Sequence, residues 1–150
     1  MITISQKSQY ALRAVFELAK RPTDKPTRIS DIAAVQAIPT RFLELILNQL
    51  KQAGIVESRR GQQGGYVLAK TPEELTVGDI IRFGDGPIQP VKCVSTGGVG
   101  CPLRNGCIFE DMWRQAGNAM ADVFDRTTFR DLLEREKSAL GQVPPLTYCI

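Results

Sequence analysis

Residues 55–69 constrain the fold more than any other part of the chain. Residues 55–58 (Ile-Val-Glu-Ser) and 66–69 (Tyr-Val-Leu-Ala) each read as a short strand, and Arg59-Arg60-Gly61-Gln62-Gln63-Gly64-Gly65 joins them. Two strands with a glycine-rich connection predict a hairpin, because glycine admits positive φ and lets backbones approach closely.

The helices before the hairpin give it a meaning. A first helix is predicted over residues 6–20, where Tyr10, Leu12, Ala14, Val15, Phe16, Leu18 and Ala19 form a broad apolar face and Pro22 closes it. Ser30 reads as the N-cap of a short second helix over 31–35, with Asp31 at its positive end. After a turn at 36–39, Pro39 and Thr40 open a third helix that carries Phe42, Leu43, Leu45, Ile46, Leu47 and Leu50 and stops before Gly54. Two helices across so short a turn make a helix-turn-helix or an ordinary helical hairpin. The strand pair next in the chain favours the first, since a hairpin after a helix-turn-helix is a wing. Arg59 and Arg60 then sit near its tip, where a narrow minor groove attracts guanidinium groups. The alternative, arginines that only solvate a surface hairpin, does not account for their place directly after a helix-turn-helix.

Beyond the wing, Thr76 and Asp79 have the spacing of a capping box at the start of a short helix. Residues 84–106 are rich in Gly and Pro and predict a long loop, a form that is usually functional or mobile in a small domain. A long helix is predicted over 108–126. Ile108, Phe109, Met112, Trp113, Ala116, Ala119, Met120, Val123 and Phe124 form its stripe at spacings of three and four. That stripe could pack within the monomer. The wing already completes one small domain, however, so a dimer interface is the favoured reading. Thr127 and Thr128 cap a last short helix over 129–139. The expected fold is mainly α with a small β-hairpin wing. A winged helix-turn-helix occupies 1–83, a cysteine-bearing loop 84–107, a dimerisation helix with a short C-terminal helix 108–140, and a flexible tail 141–150.

Composition narrows the chemistry. The 150 residues are 43% hydrophobic and 23% charged, enough for a packed core, and the net charge of +3 is only a mild lean toward polyanions. No apolar run approaches the roughly 20 residues of a membrane span, and the first ten residues lack a signal peptide's apolar centre. A cytoplasmic setting keeps thiols reduced, so the four cysteines, Cys93, Cys101, Cys107 and Cys149, read as metal, cluster or redox groups before they read as disulfides. There is no histidine, which excludes Ser-His-Asp and Cys-His catalysis and a Rieske centre. No catalytic constellation is visible, and the chain is not expected to be an enzyme.

Cys93, Cys101 and Cys107 share a loop with Gly97, Gly98, Gly100 and Gly106. Soft thiolates suit iron–sulfur clusters and zinc, and a helix starting after Cys107 favours a bound anion. Structural zinc prefers four ligands in tight Cys-x-x-Cys pairs, which are absent. An iron–sulfur cluster is the favoured reading, with a metal-free thiol switch as its rival and an electron carrier less favoured. Three cysteines leave a cluster one ligand short; Glu110, one helical turn past Cys107, is the nearest candidate for the fourth, and Cys149, Ser8 or another oxygen donor of a second copy, and water are the alternatives.

Several runs match a known family over nearly the whole chain. They are Tyr10-Ala11-Leu12-Arg13-Ala14; Ile38-Pro39-Thr40-Arg41-Phe42-Leu43-Glu44; residues 50–61 running into Gly64-Gly65-Tyr66-Val67-Leu68-Ala69; and Cys101-Pro102-Leu103-Arg104-Asn105-Gly106-Cys107. In these the chain resembles the Rrf2 family of winged helix-turn-helix regulators, in particular the cluster-binding branch that includes IscR, NsrR and RirA. The resemblance implies a cytoplasmic homodimer on near-palindromic double-stranded DNA. Thr40, Arg41 and Glu44 would face bases or phosphates in the major groove, and Arg60 would enter the minor groove. It also implies a 2Fe–2S or 4Fe–4S cluster on Cys93, Cys101 and Cys107, sensing redox state, nitric oxide or iron–sulfur status.

Overall fold

A computed structural model describes residues 3–141. In chain order they form α1 (Gln6–Ala19), α2 (Ile29–Gln36), α3 (Thr40–Gln52), β1 (Val56–Arg59), β2 (Gly65–Leu68), α4 (Val77–Asp85), α5 (Lys92–Ser95), α6 (Glu110–Arg126) and α7 (Phe129–Gly141). The mainly α fold with a two-stranded wing is as expected from the sequence.

The core is built on α1, whose Ala11, Ala14, Val15 and Leu18 are buried at helical spacing. Ile32 of α2 and Leu43, Leu47 and Leu50 of α3 close over it. Each large apolar side chain taken from water there contributes roughly 1.5–3 kcal/mol. Phe42 and Leu45, which share the apolar pattern of α3, are instead 55% and 58% exposed. Leu43, Ile46, Leu47 and Leu50 already complete the inward stripe, so positions 42 and 45 fall on its flank, beside Tyr10.

The helix starts show which local signals hold. Thr76 accepts from the Asp79 N–H and Asp79 from the Thr76 N–H, a complete capping box at α4. Thr128 and Asp131 make the same reciprocal pair at α7. Ser30 is not a cap: α2 begins at Ile29, and Arg28 is its N-cap without a side-chain bond. The reason is tertiary. Thr27 forms a bridge with Tyr66, each N–H donating to the other's carbonyl at 2.9 Å, which holds the preceding chain extended and lets the helix begin early.

The wing strands pair antiparallel, Val56 opposite Leu68 and Arg59 opposite Gly65, one residue displaced from the sequence expectation. Lys51 of α3 donates to the Ser58 Oγ at 2.7 Å, tying helix to wing.

Three features past the wing depart from expectation. α4 runs on to Asp85, and the long loop contains the single turn α5, which carries Cys93. α7 reaches Gly141, so the expected tail loses its first residue to the helix, and 142–150 with Cys149 lie outside the described residues. α7 is also no mere appendage to α6. Phe129 is 0% exposed and Leu133 8%, both inside the core around α1.

α6 stands apart from that core. Gly117 is its one buried residue among those described, while Ile108, Phe109, Met112 and Val123 are exposed. Its firm attachment is to α4, where the Arg82 guanidinium donates twice to the Asp125 carboxylate at 2.6 and 2.7 Å. No helix among the described residues is long and apolar enough to cross a membrane.

Candidate functional site

Two regions hold the residues singled out in the sequence. The first is the outer face of α3 together with the wing. Pro39 is the N-cap of α3, and its carbonyl accepts from Phe42 and Leu43. With Leu43, Ile46, Leu47 and Leu50 turned inward, Thr40, Arg41 and Glu44 are left exposed on the opposite side, in the first two turns. No salt bridge engages Arg41 or Glu44 among the described residues, so both side chains are available.

The two wing arginines are not equivalent. Arg59 pairs with Glu57 at 3.3 Å. Arg60 is exposed and has no ion pair among the described residues. Both line a groove of about 420 Å³ with Gln63 and with Asp24 and Pro26 of the α1–α2 loop.

Gly64 and Gly65 serve a different purpose from the one their composition suggested. Positive φ in the wing belongs to Gly61 (φ 112°), not to them. A Cβ on Gly64 would collide with the Arg59 carbonyl oxygen, and one on Gly65 with that of Thr27. Both glycines are required by the wing's own packing. Arg28 was not legible as a wing residue, yet its guanidinium donates to the Gln62 carbonyl at 2.7 Å and steadies the tip. No local pattern distinguishes it, because its partner is 34 residues away.

The second region is the cysteine loop. Cys93, Cys101 and Cys107 line one cavity of about 230 Å³ with Gly97, Gly98 and Glu110. Cys93 is exposed and the other two are half-buried; all three are free thiols. Gly97, Gly98 and Gly100 have φ of 62°, 73° and 80°, and the turns they make fold the loop back on itself. The Gly98 N–H donates to the Cys93 carbonyl at 2.7 Å and the Cys101 N–H to the Gly98 carbonyl at 3.0 Å. Glu110 faces the cavity but is paired with Arg114, which also holds Asp111.

This donor set fits one kind of group better than another. Among the described residues, no three Cys, Asp or Glu side chains converge closely enough to grip a single ion. A cluster is larger than one ion and takes its thiolates at more than one iron around a shared centre. Three thiols around a common cavity, on a loop turned by glycines, suit that arrangement.

Residues 4–135 match the profile of the Rrf2 family, described as an iron-dependent transcriptional regulator. The chain is 37% identical over 129 residues to the HTH-type transcriptional regulator CymR of Bacillus subtilis, covering 86% of this chain and 88% of that one. The structure of CymR, the global cysteine regulator of B. subtilis, superposes with a TM-score of 0.74 at 36% identity, over 90% of this chain and 98% of the other. IscR of T. potens gives 0.75 at 30% identity, over 92% and 90%. The oxidized form of Staphylococcus aureus CymR gives 0.67 at 30%, over 87% and 95%. These relatives are named as regulators of transcription, not as enzymes. A family match over residues 4–135, a shared winged-helix fold and exposed polar residues on α3 and the wing agree: this chain belongs to the Rrf2 family of transcriptional regulators.

Proposed function

We propose that the chain acts in the cytoplasm as a homodimer on a near-palindromic operator and senses redox state, nitric oxide or iron–sulfur status through a cluster on Cys93, Cys101 and Cys107. Thr40, Arg41 and Glu44 read the major groove: Arg donates to guanine, and Glu accepts from cytosine N4. Arg60 enters the minor groove from the wing, with Arg59 beside it and Gly64 and Gly65 shaping the hairpin. The exposed apolar stripe of α6 is the dimer seam.

The observation that carries the sensing reading is the shared cavity of three cysteines spread over fifteen positions, with Glu110 at its edge. When bound, an iron–sulfur cluster supplies a centre reactive toward oxidants and nitric oxide. The chain's part is to hold it and to register its presence. The three thiolates anchor a loop that otherwise has only turn hydrogen bonds, and that loop joins α4 to α6. Gln89, from the same loop, lies so close to α6 that a Cβ on Gly117 would collide with its Oε1. Ordering the loop therefore biases how α6 sits on the DNA-binding unit. For Glu110 to serve as fourth ligand, its carboxylate must leave Arg114.

A metal-free thiol switch is the second reading. It is favoured by the likeness to CymR, which has been described in an oxidized form, and by free thiols lining one cavity. Anaerobic purification with a visible spectrum and iron and acid-labile sulfide assays separates the two. A brown protein with iron and sulfide in step, whose colour and operator response are both lost in Cys101→Ala, is expected. Colourless protein after reconstitution, with a disulfide on mild oxidation, would move the assignment to the thiol switch.

A further inference from the structure

Glu17 is one of three buried polar or charged residues among those described, 5% exposed in the last turn of α1. A carboxylate in that position must be paired, because desolvation outweighs what packing returns. Its partner is Gln36, the last residue of α2, whose Nε2 donates to the Glu17 Oε2 at 2.9 Å. Lys20 adds a longer contact at 3.5 Å. Gln36 is also held by its backbone: Arg13, one turn before Glu17 on the same face of α1, donates to its carbonyl. That carbonyl is an otherwise unpaired acceptor at the negative end of α2.

α1 thus grips one residue at two points, and the turn into α3 begins at the next position. Ala37 has φ 49°, the one positive value outside glycine among the described residues. An L-residue held there carries a strain of roughly 1–2 kcal/mol, tolerated only where the surroundings enforce it. Ile38 is buried, and Pro39 then opens α3. The orientation of the first turn of α3 is set within three residues of Gln36.

We infer that Glu17 and Arg13, acting through Gln36, are positioning residues that fix the angle at which α3 presents Thr40, Arg41 and Glu44 to DNA. This rests on the reading of α3 as the base-reading helix. A buried polar pair is often no more stable than apolar groups of the same volume; a pair that fixes geometry governs discrimination between sequences.

The test uses a duplex selected by the wild-type chain from a random-sequence library, an unrelated duplex of equal length, and thermal melting of each variant. Gln36→Ala is expected to lower the preference for the selected duplex about tenfold, a coupling of ordinary size, while binding to the unrelated duplex is kept. The exchanged pair Glu17→Gln with Gln36→Glu restores a donor facing a carboxylate and is expected to recover most of that preference. An unchanged preference in Gln36→Ala would overturn the inference, as would equal losses on both duplexes or an exchanged pair that recovers nothing. A wild-type chain that selects no sequence would overturn the reading of α3 beneath it as well.

Discussion

Arg60 and Gly65 flank the tip of one short wing and are expected to fail in opposite ways. Arg60 is exposed and supports nothing in the fold. Arg60→Ala should leave the melting temperature within experimental scatter and weaken operator binding by roughly 1–3 kcal/mol. The loss should be largest where A·T pairs narrow the minor groove, as read by titration across a set of flanking sequences. Gly65 faces the Thr27 carbonyl at a distance no Cβ can accept. Gly65→Ala should cost about 1–3 kcal/mol of stability, as overpacking does, visible in denaturant unfolding without any DNA present. The arginine is singled out by its place in the sequence, and the titration tests that reading. The glycine was legible as necessary, but for a reason that needed Thr27, far upstream in the chain, to be seen.

α6 and α7 read as one C-terminal unit in the sequence and behave as two. Phe129 of α7 is fully buried against α1, so Phe129→Ala should cost about 3–5 kcal/mol in a chemical denaturation series and depress α1 and α3 with it. Val123 of α6 is 63% exposed. Val123→Glu should leave unfolding of the monomer unchanged and shift the sedimenting species from dimer to monomer. If the variant remains a dimer, the seam lies elsewhere. Helical periodicity marks both stripes alike; whether a stripe meets its own chain or another copy is set by which core surface remains open once α1, α2, α3 and the wing have closed.

At the scale of the whole molecule α6 is carried on α4, at a joint made by the bond from the Val77 N–H to the Thr127 carbonyl at 2.9 Å and by the Arg82–Asp125 pair. Its two hydrogen bonds from Arg82 hold the Asp125 carboxyl below the ordinary value of 3.8, and the Arg82 guanidinium is raised in return. A carboxyl depressed in the folded state stabilises the joint at neutral pH, and that contribution is lost as pH falls through its folded value, below 3.8. Both side chains are 42% exposed, so the pair contributes at most about 1 kcal/mol. Arg82→Ala is therefore expected to change melting little at neutral pH and to flatten its acid dependence. On the dimer proposed above, with α6 as its seam, it should also blur the preference for one operator half-site spacing. A spacing preference as sharp as that of the wild type would show that packing and the Val77–Thr127 backbone bond hold α4 and α6 without the ion pair.

Short-range chemistry was readable in advance. The capping box at Thr76, the cap at Thr128, the inward stripe of α3, the glycine-rich wing and the grouping of Cys93, Cys101 and Cys107 on one loop all arise within short stretches of chain, where sequence spacing and spatial distance run together. Folding alone settled the rest: the start of α2 at Ile29 rather than after Ser30, the exposure of Phe42 and Leu45, the descent of Phe129 into the core, the double hold on Gln36 and the gathering of three thiols around one cavity. Apart from the thiols, which the turns of their own loop bring together, each depends on segments far apart in the chain meeting at one buried surface or one hydrogen bond. Such competition is resolved by packing the whole molecule, and no local pattern records its outcome.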